Sequence, residues 1–514
     1  MAVFPSGAIS AGTTARGIAF VIALLAALPA MAQPSKPNVV FILADNVGYG
    51  DLGSYGGGEL RGAPTPRLDQ LAHEGLRLTQ YLVEPSCTPS RAALMTGQYS
   101  IRNGMSLVGI PPQAANLPEK AFTMGELFKE AGYSTAIFGK WHLGGGYAGS
   151  QHSLPTEHGF DEFYGIPPDF TWDSATYPET MVLTHSFDRP GSTERFVPGE
   201  NLTPHIVQAV AHGPLQRVRP YTPELRAEID TDLVARSIDF IERQAGAGKP
   251  FFLYLPFSMG HFPNYPSQEF KGQSRIGNYG DKLIEGDAHV GRIVDTLKRL
   301  GIDDNTLLVF ASDNGPQGET VRELGNLGTP DMGNAGPFRG ELGEATEGSI
   351  RTCAILRWPG RIRPGTTSNA MFSIMDFLPT FARIIDASLP GDRPIDGVDQ
   401  TDLLFGRSVA GHRESLLTFI GPDMTAVRWR QWRIYFSDVH PSGIGPQRQP
   451  GLFAASSPMV NWPKVYNIEM DPHEDLVVAG QFPWVISVAL EVVEKYKDTL
   501  KAYPNPPPPN VTRF

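Results

Sequence analysis

Short apolar runs alternate with amphipathic stretches through the first three quarters of the chain. "NVVFILAD" (38–45), "LRLTQYLV" (76–83), "STAIFG" (134–139), "PFFLYLPFS" (250–258), "TLLVFASDNG" (306–315) and "RTCAILRW" (351–358) are apolar and rich in β-branched and aromatic residues. They are too short for buried helices and predict strands covered on both faces. Between them, "TPRLDQLAHEGL" (65–76) predicts a helix with Thr65 as cap, Pro66 at its first position and Gly75 as its stop. "TMGELFKEAG" (123–132), "TDLVARSIDFIERQ" (231–244) and "AHVGRIVDTLKRLG" (288–301) also read as helices. This alternation predicts an α/β domain, a mostly parallel central sheet flanked by helices.

The rhythm breaks twice. Residues 145–230 are interrupted by Gly, Pro and His and predict long loops over one end of the sheet. The Pro/Gly-rich stretch 359–398 contains one helical piece, "MFSIMDFLPTFARII" (371–385). Beyond it, "ESLLTFIG" (414–421), "MTAVRWRQ" (424–431) and "WRIYFSDV" (432–439) predict neighbouring antiparallel strands. A late helix over 485–503 closes the chain before the extended "NPPPPN" tail. The expected domains are therefore a large α/β domain over 37–408 and a smaller α+β domain, antiparallel sheet plus helix, over 409–514.

Residues 1–32 read as a secretory signal. Arg16 supplies the positive start, "GIAFVIALLAALPA" (17–30) the apolar run, and Ala30-Met31-Ala32 the cleavage site. The apolar run is short for a membrane span and Pro29 breaks it near its end. An exported protein is expected, periplasmic or secreted, with no stable membrane span once the signal is removed. A net charge of −11 argues against a nucleic-acid partner. The chain has only 2 cysteines, which rules out a disulfide framework. Cys353 lies in an apolar strand and reads as a small core residue. Cys87 opens "CTPSRAALMTG" (87–97), a short helix with Thr88 as expected cap and Pro89 at its first position.

Reactive residues follow the predicted strands at one edge: Asp45-Asn46, Lys140-Trp141-His142, His261 and Asp313-Asn314. Open parallel sheets bind ligands beyond the carboxyl ends of their strands. Asp45, Asn46, Asp313 and Asn314 offer only oxygen ligands, which suit a hard divalent cation rather than zinc or copper. Arg91, Lys140 and the histidines add positive charge, so the substrate class is an oxyanion: sulfate, phosphate or phosphonate. A thiolate at a helix N-terminus would also suit Cys87. Its spacing to Arg91 and the lack of glycines depart from the cysteine-phosphatase loop.

The sequence resembles the sulfatase family of the alkaline-phosphatase superfamily. Residues 87–97 match its C-x-P-S-R-x-x-x-x-T-G signature at every fixed position, and "GYSTAIFGKWHLG" (132–144) matches its second signature. "NVVFILADNVGYGDLGSYGG", "SDNG", "EGSIR…RWPG" (347–360) and "VYNIEMDPHED" follow in family order, so the likeness runs from about residue 37 to about 475. It implies that Cys87 is oxidised to Cα-formylglycine by a formylglycine-generating enzyme that reads Cys87-x-Pro89-x-Arg91. The hydrated aldehyde then attacks sulfur and forms a covalent sulfate ester. Asp45, Asn46, Asp313, Asn314 and the modified Cys87 correspond to the ligands of one divalent cation, Ca²⁺ ahead of Mg²⁺. Arg91 corresponds to the residue that orients the diol, and Lys140 to a sulfate-oxygen contact. His142 is the expected base for sulfate release, and His261 the expected proton donor to the leaving oxygen.

Two positions depart from the family pattern. Asn46 stands where a second aspartate is usual, which removes one negative charge from the metal loop. Leu342 stands where a lysine usually precedes the "EGG-x-R" segment, and Arg339 is the nearest cation in sequence. These keep open a second reading, a phosphodiesterase or phosphonate monoester hydrolase of the same superfamily. A third is a non-catalytic binding protein on this scaffold, which the intact Cys87, Arg91, Lys140 and His142 oppose. "PPDFTWDSATYP" (167–178) offers aromatics for a sugar or aryl ring, and Asn201 and Asn510 lie in glycosylation sequons.

Overall fold

Every side chain of β1 (Asn38–Ala44) is buried, and successive residues feed two different cores. Val39, Phe41 and Leu43 face one side of the sheet, and Val40, Ile42 and Ala44 face the other. This is why the run lacks polar alternation: helices cover both faces. The computed structural model describes residues 1–5, 7, 36–108, 116–145, 153–167, 169, 205–317, 333–440, 455–459 and 462–507. Pro37–Phe514 forms one compact unit. The apolar run and cleavage site of the expected signal, both sequons and the aromatics beyond Asp169 lie outside the described residues. No described helix is long and apolar enough to cross a membrane.

The remaining strands of the main sheet are β2 (Leu76–Leu82), β3 (Ser134–Lys140), β4 (Glu162–Ile166), β5 (His205–Val210), β6 (Gln216–Pro220), β7 (Phe251–Pro256), β8 (Thr306–Ser312), β9 (Arg351–Arg357), β10 (Thr366–Ser368) and β11 (Phe372–Ser373). Their order is β10-β2-β9-β8-β1-β7-β3-β4-β5-β6, with β11 also on β2. The pairs β8–β1, β1–β7, β7–β3 and β3–β4 are parallel. β9 runs antiparallel to both β8 and β2. Consequently β1, β2, β3, β7 and β8 end at one edge, and β9 begins there.

Helices α1 (Pro66–His73), α2 (Cys87–Thr96), α3 (Met124–Glu130), α4 (Pro223–Ala247), α5 (Gly277–Arg299), α6 (Glu347–Ile350) and α7 (Phe377–Ile384) complete the layers. Leu94 of α2, Phe128 of α3 and Phe381 of α7 pack with Phe41. Leu68 of α1, Leu233 of α4 and Leu283 of α5 pack with Ile42 on the opposite face. Thr123 and Glu126 close a reciprocal capping box at the start of α3.

The structure corrects three local expectations. Residues 145–230 contain β4, β5, β6 and the start of α4, where loops were expected. β6, "QRVRP", is exposed along its whole length and held by backbone pairing to β5, so it carries no apolar pattern to detect. The helix read over 288–301 spans Gly277–Arg299, and its glycine-containing first half carries a weaker apolar signal. A Cβ on Gly286 would lie 2.3 Å from the Met259 sulfur. α2 begins at Cys87 after an extended Ser86, so Thr88 lies inside the helix and is not the cap.

The C-terminal region forms a separate small antiparallel sheet of β12 (Ser415–Ile420), β13 (Asp423–Trp429), β14 (Trp432–Tyr435) and β17 (Lys464–Asn467). The strands β15 (Ser437–His440) and β16 (Ala455–Pro458) pair beside it, and α8 (Trp484–Leu500) follows. Leu417, Val427, Ile434 and Val485 belong to the same core cluster as Phe41. The junction is also ionic. Arg413 donates to both oxygens of the fully buried Asp376, and to the Asp396 and Ser415 carbonyls. Truncating one partner of such a pair strands a buried charge. Arg413→Ala is expected to cost about 3–5 kcal/mol of stability, measured as a lower urea midpoint. An Arg413→Leu/Asp376→Leu double variant should recover most of the loss.

Candidate active site

Two sequential turns at the sheet edge bring the predicted oxygen ligands together. After β1, Asp45 donates its backbone N–H to the Met259 carbonyl. Asn46 takes a left-handed conformation with φ 61°, which asparagine tolerates better than most residues. Its N–H donates to Asp313 Oδ1 at 3.2 Å, and Val47 N–H donates to Ser312 Oγ at 2.9 Å. The β1 and β8 turns are thus tied by their own side chains. Asn314 Nδ2 donates to Asn46 Oδ1 at 2.6 Å.

Cys87 is the first residue of α2 and is buried, as is every other residue of that helix. Its Sγ lies 3.4 Å from Asp45 Oδ1 and 3.6 Å from Asn46 Oδ1. One turn on, Arg91 is fully buried. Its Nη2 donates to Asp313 Oδ2 at 2.8 Å and to Asp45 Oδ2 at 3.1 Å, and Nε donates to Asp313 Oδ2 at 3.1 Å. Nη1 donates to the Lys140 carbonyl at 3.1 Å and reaches the Tyr254 hydroxyl at 3.5 Å. One guanidinium therefore joins β1, β3, β7 and β8.

Lys140, the last residue of β3, donates to Asp45 Oδ2 at 2.7 Å and to Asp169 Oδ1 at 3.2 Å. His142 follows with φ 60°, its N–H held by the Pro167 carbonyl at 2.8 Å. Such a backbone at a non-glycine residue costs energy and recurs at functional sites. His261 Nε2 lies 2.8 Å from Asp169 Oδ1, and His142 Nε2 lies 3.9 Å from Asp169 Oδ2. The His261 segment is anchored from behind by buried charge. Asp230 accepts from Ser258 N and Oγ and pairs with Lys282 at 2.8 Å, while Arg226 Nη2 donates to the His261 carbonyl.

All nine predicted site residues come together: Asp45, Asn46, Cys87, Arg91, Lys140, His142, His261, Asp313 and Asn314. Asp169 was missed. It lies in the segment 167–178, whose aromatics drew attention, and a lone acid in a loop carries no periodic signal. Tyr254 was read only as part of a strand.

Burial raises the cost of ionising Asp45, but Lys140, His261 and Arg91 outweigh it and hold its carboxyl at about 2. Asp313 is pushed up to about 6 by burial and by Asp45, against the pull of Arg91 and Lys140. Asp169 is held well below the usual carboxylate range; burial opposes this, and His261, Lys140 and His142 overcome it. Burial and Asp45 push the Cys87 thiol far above its ordinary value. This direction opposes the thiolate reading.

The oxygen-rich side of the site fits a hard divalent cation. Asn314 Oδ1 is buried and has no hydrogen-bond partner among the described residues, so a lone pair is left for a cation. Asp45, Cys87 and His261 also bring ligand atoms within 4.8 Å of one another. His261 Nε2 is engaged by Asp169, however, and the amide and carboxylate oxygens make the better set. Leu342 is buried at the rim: its N–H donates to the Pro316 carbonyl and that of Gly343 to the Pro85 carbonyl. Arg339 instead pairs with Glu474 at 3.5 Å.

The sulfatase family model matches residues 37–387. Steryl-sulfatase of Mus musculus is 36% identical over 464 residues, covering 80% of this chain and 73% of its own. Arylsulfatase A of Bos taurus is 34% identical over 486 residues, covering 93% and 90%. Among solved structures, the PsFucS1 sulfatase from Pseudoalteromonas sp. superposes with a TM-score of 0.81 at 32% identity, over 95% of this chain and 94% of that one. The likeness extends over the α/β sheet and the small C-terminal sheet alike, and divalent metal binding and formylglycine modification are general in such proteins. The chain belongs to the sulfatase family of the alkaline-phosphatase superfamily and is a hydrolase of sulfuric esters.

Proposed function

We propose that residues 37–408 carry an arylsulfatase-like hydrolysis of organic sulfate monoesters, with 409–514 as the smaller C-terminal part. Cys87 acts after conversion to formylglycine. The observation that supports this most is the place of Cys87: its Sγ is within 3.6 Å of the Asn46 amide oxygen and nearer still to Asp45, while Arg91 of the same helix bridges both acidic strand ends. The modified side chain supplies a hydrated aldehyde as nucleophile in a pocket from which water is largely excluded. Arg91 holds that group beside Asp45 and Asp313. Lys140 binds a sulfate oxygen, His142 takes the proton that triggers sulfate release, and His261 protonates the leaving oxygen.

Asp45, Asn46, Asp313, Asn314 and the modified Cys87 hold the cation, Ca²⁺ ahead of Mg²⁺. Bound there, it lowers the pKa of the hydrated aldehyde. Because Cys87, Pro89 and Arg91 are all buried, the formylglycine-generating enzyme must read this segment before the chain folds. The mature protein begins after Ala32 and is periplasmic or secreted.

Peptide mass spectrometry of protein made with the modifying enzyme should find residue 87 as formylglycine. Cys87→Ala should abolish turnover and leave the circular dichroism spectrum unchanged. An unmodified thiol in every molecule of a fully active preparation would overturn the assignment.

Asp45→Ala and Asp313→Ala should each remove the metal seen by elemental analysis together with activity. Asn46→Asp should tighten metal binding, because it restores a carboxylate to a site with only two. Full activity after exhaustive chelation, in metal-free protein, would refute the metal assignment.

Leu342 leaves the site one cation short, which penalises a dianion more than a monoanion. Sulfate monoesters should be hydrolysed faster than phosphodiesters or phosphonate monoesters, with phosphate monoesters last. Leu342→Lys should raise kcat/KM for a phosphate monoester relative to a sulfate ester. A flat ratio would mean that residue 342 does not face the substrate.

A further inference from the structure

Three groups given roles in the reaction above, Lys140, His142 and His261, all face one carboxylate of the protein itself. Asp169 Oδ1 lies 2.8 Å from His261 Nε2 and 3.2 Å from Lys140 Nζ, and its Oδ2 lies 3.9 Å from His142 Nε2. Asp169 is itself only 6% exposed, so water screens these contacts little. The other nitrogen of His261 is turned to the Phe262 carbonyl at 2.6 Å. Nε2 is therefore the nitrogen oriented toward the pocket, and Asp169 holds it.

A carboxylate and a sulfate ester present the same kind of charged oxygen to the same donors. They cannot both hold Lys140 Nζ and His261 Nε2 at hydrogen-bond distance. Lys140 keeps Asp45 as a second partner at 2.7 Å, so losing Asp169 does not leave its charge unpaired. Pro167 is pinned by the His142 N–H, which holds the chain near this position.

We propose that Asp169 is an internal counter-anion that the substrate's sulfate group displaces from Lys140 and His261, and that returns to expel product sulfate. This rests on the roles given above to Lys140, His142 and His261. In the resting site the carboxylate neutralises the anion cradle and keeps its donors ordered. During turnover it competes with the anion, weakening the hold on free sulfate more than on an ester that has further contacts through its organic half. Asp169 is then a specificity-determining residue: it tunes anion affinity and product release and takes no part in bond making.

The test compares wild-type enzyme with Asp169→Asn and Asp169→Ala. Inorganic sulfate binding is measured by calorimetry, and sulfate inhibition is measured during hydrolysis of an aryl sulfate. Both variants should bind sulfate about tenfold or more tightly, the scale of losing charged hydrogen bonds from a competitor. The inhibition constant should fall in step, and KM should fall more than kcat rises. Asp169→Asn keeps the side-chain shape and serves if the alanine variant folds poorly. Unchanged or weaker sulfate binding, with kcat reduced, would overturn the proposal and make Asp169 a positioning residue for the histidines. If wild-type enzyme hydrolysed no sulfate ester and bound no sulfate, the assignment of the cradle itself would fail, and this inference with it.

Discussion

A fully buried guanidinium organises this protein. Arg91 meets Asp45 at the end of β1, Asp313 at the end of β8, the Lys140 carbonyl at the end of β3 and Tyr254 of β7. Bringing such charges out of water is expensive, and only dense pairing makes it tolerable. Among the described residues, Asp45, Asp313 and Asp169 set three carboxylates against the permanent cations Arg91 and Lys140. A divalent cation held among these oxygens would offset that negative charge and favour an oxyanion. Burial and the neighbouring Asp45 push the Asp313 carboxyl up to about 6.

The same constraint explains the position of Cys87. A thiol at the start of a wholly buried helix, against two acidic strand ends, is a poor nucleophile. The same spot suits a modified side chain held beside the two acidic strand ends that Arg91 bridges. Backbone strain marks two neighbouring site residues. Asn46 and His142, one at the end of each of two parallel strands, both take left-handed conformations. The surrounding hydrogen bonds from Asp313, Ser312 and Pro167 hold those turns in place.

The C-terminal sheet contributes through its arginines. Arg428 lies 3.3 Å from Glu347, and Arg433 donates to the Ala345 carbonyl, both fully buried. Burial opposes the ionisation of Glu347, and Arg428, Arg351 and Arg433 hold it below its ordinary value. They fix the segment 342–351, which touches the site where Gly315 N–H meets the Ser349 carbonyl and Gly343 N–H meets the Pro85 carbonyl. The sheet that lies outside the matched family segment therefore braces one wall of the site.

Much of this was legible in the chain. Runs such as "NVVFILAD" announce strands because complete burial leaves no polar alternation, and long signatures announce chemistry because contiguous residues such as Cys87 to Gly97 form one helix. Residues at strand ends could be grouped at one edge because parallel strands share a direction. What escaped had no local pattern. β6 is a polar edge held by backbone pairing, the first half of α5 is glycine-rich, and α2 starts directly after an extended Ser86 while Ser90 Oγ bonds back to the Glu84 backbone. Asp169 is the clearest case. An isolated acid in a loop looks like any solvated residue. Only the tertiary structure puts its carboxylate beside Lys140, His142 and His261. Long-range packing decided that contact, because the charges involved lie far apart along the chain and meet only where the strands end.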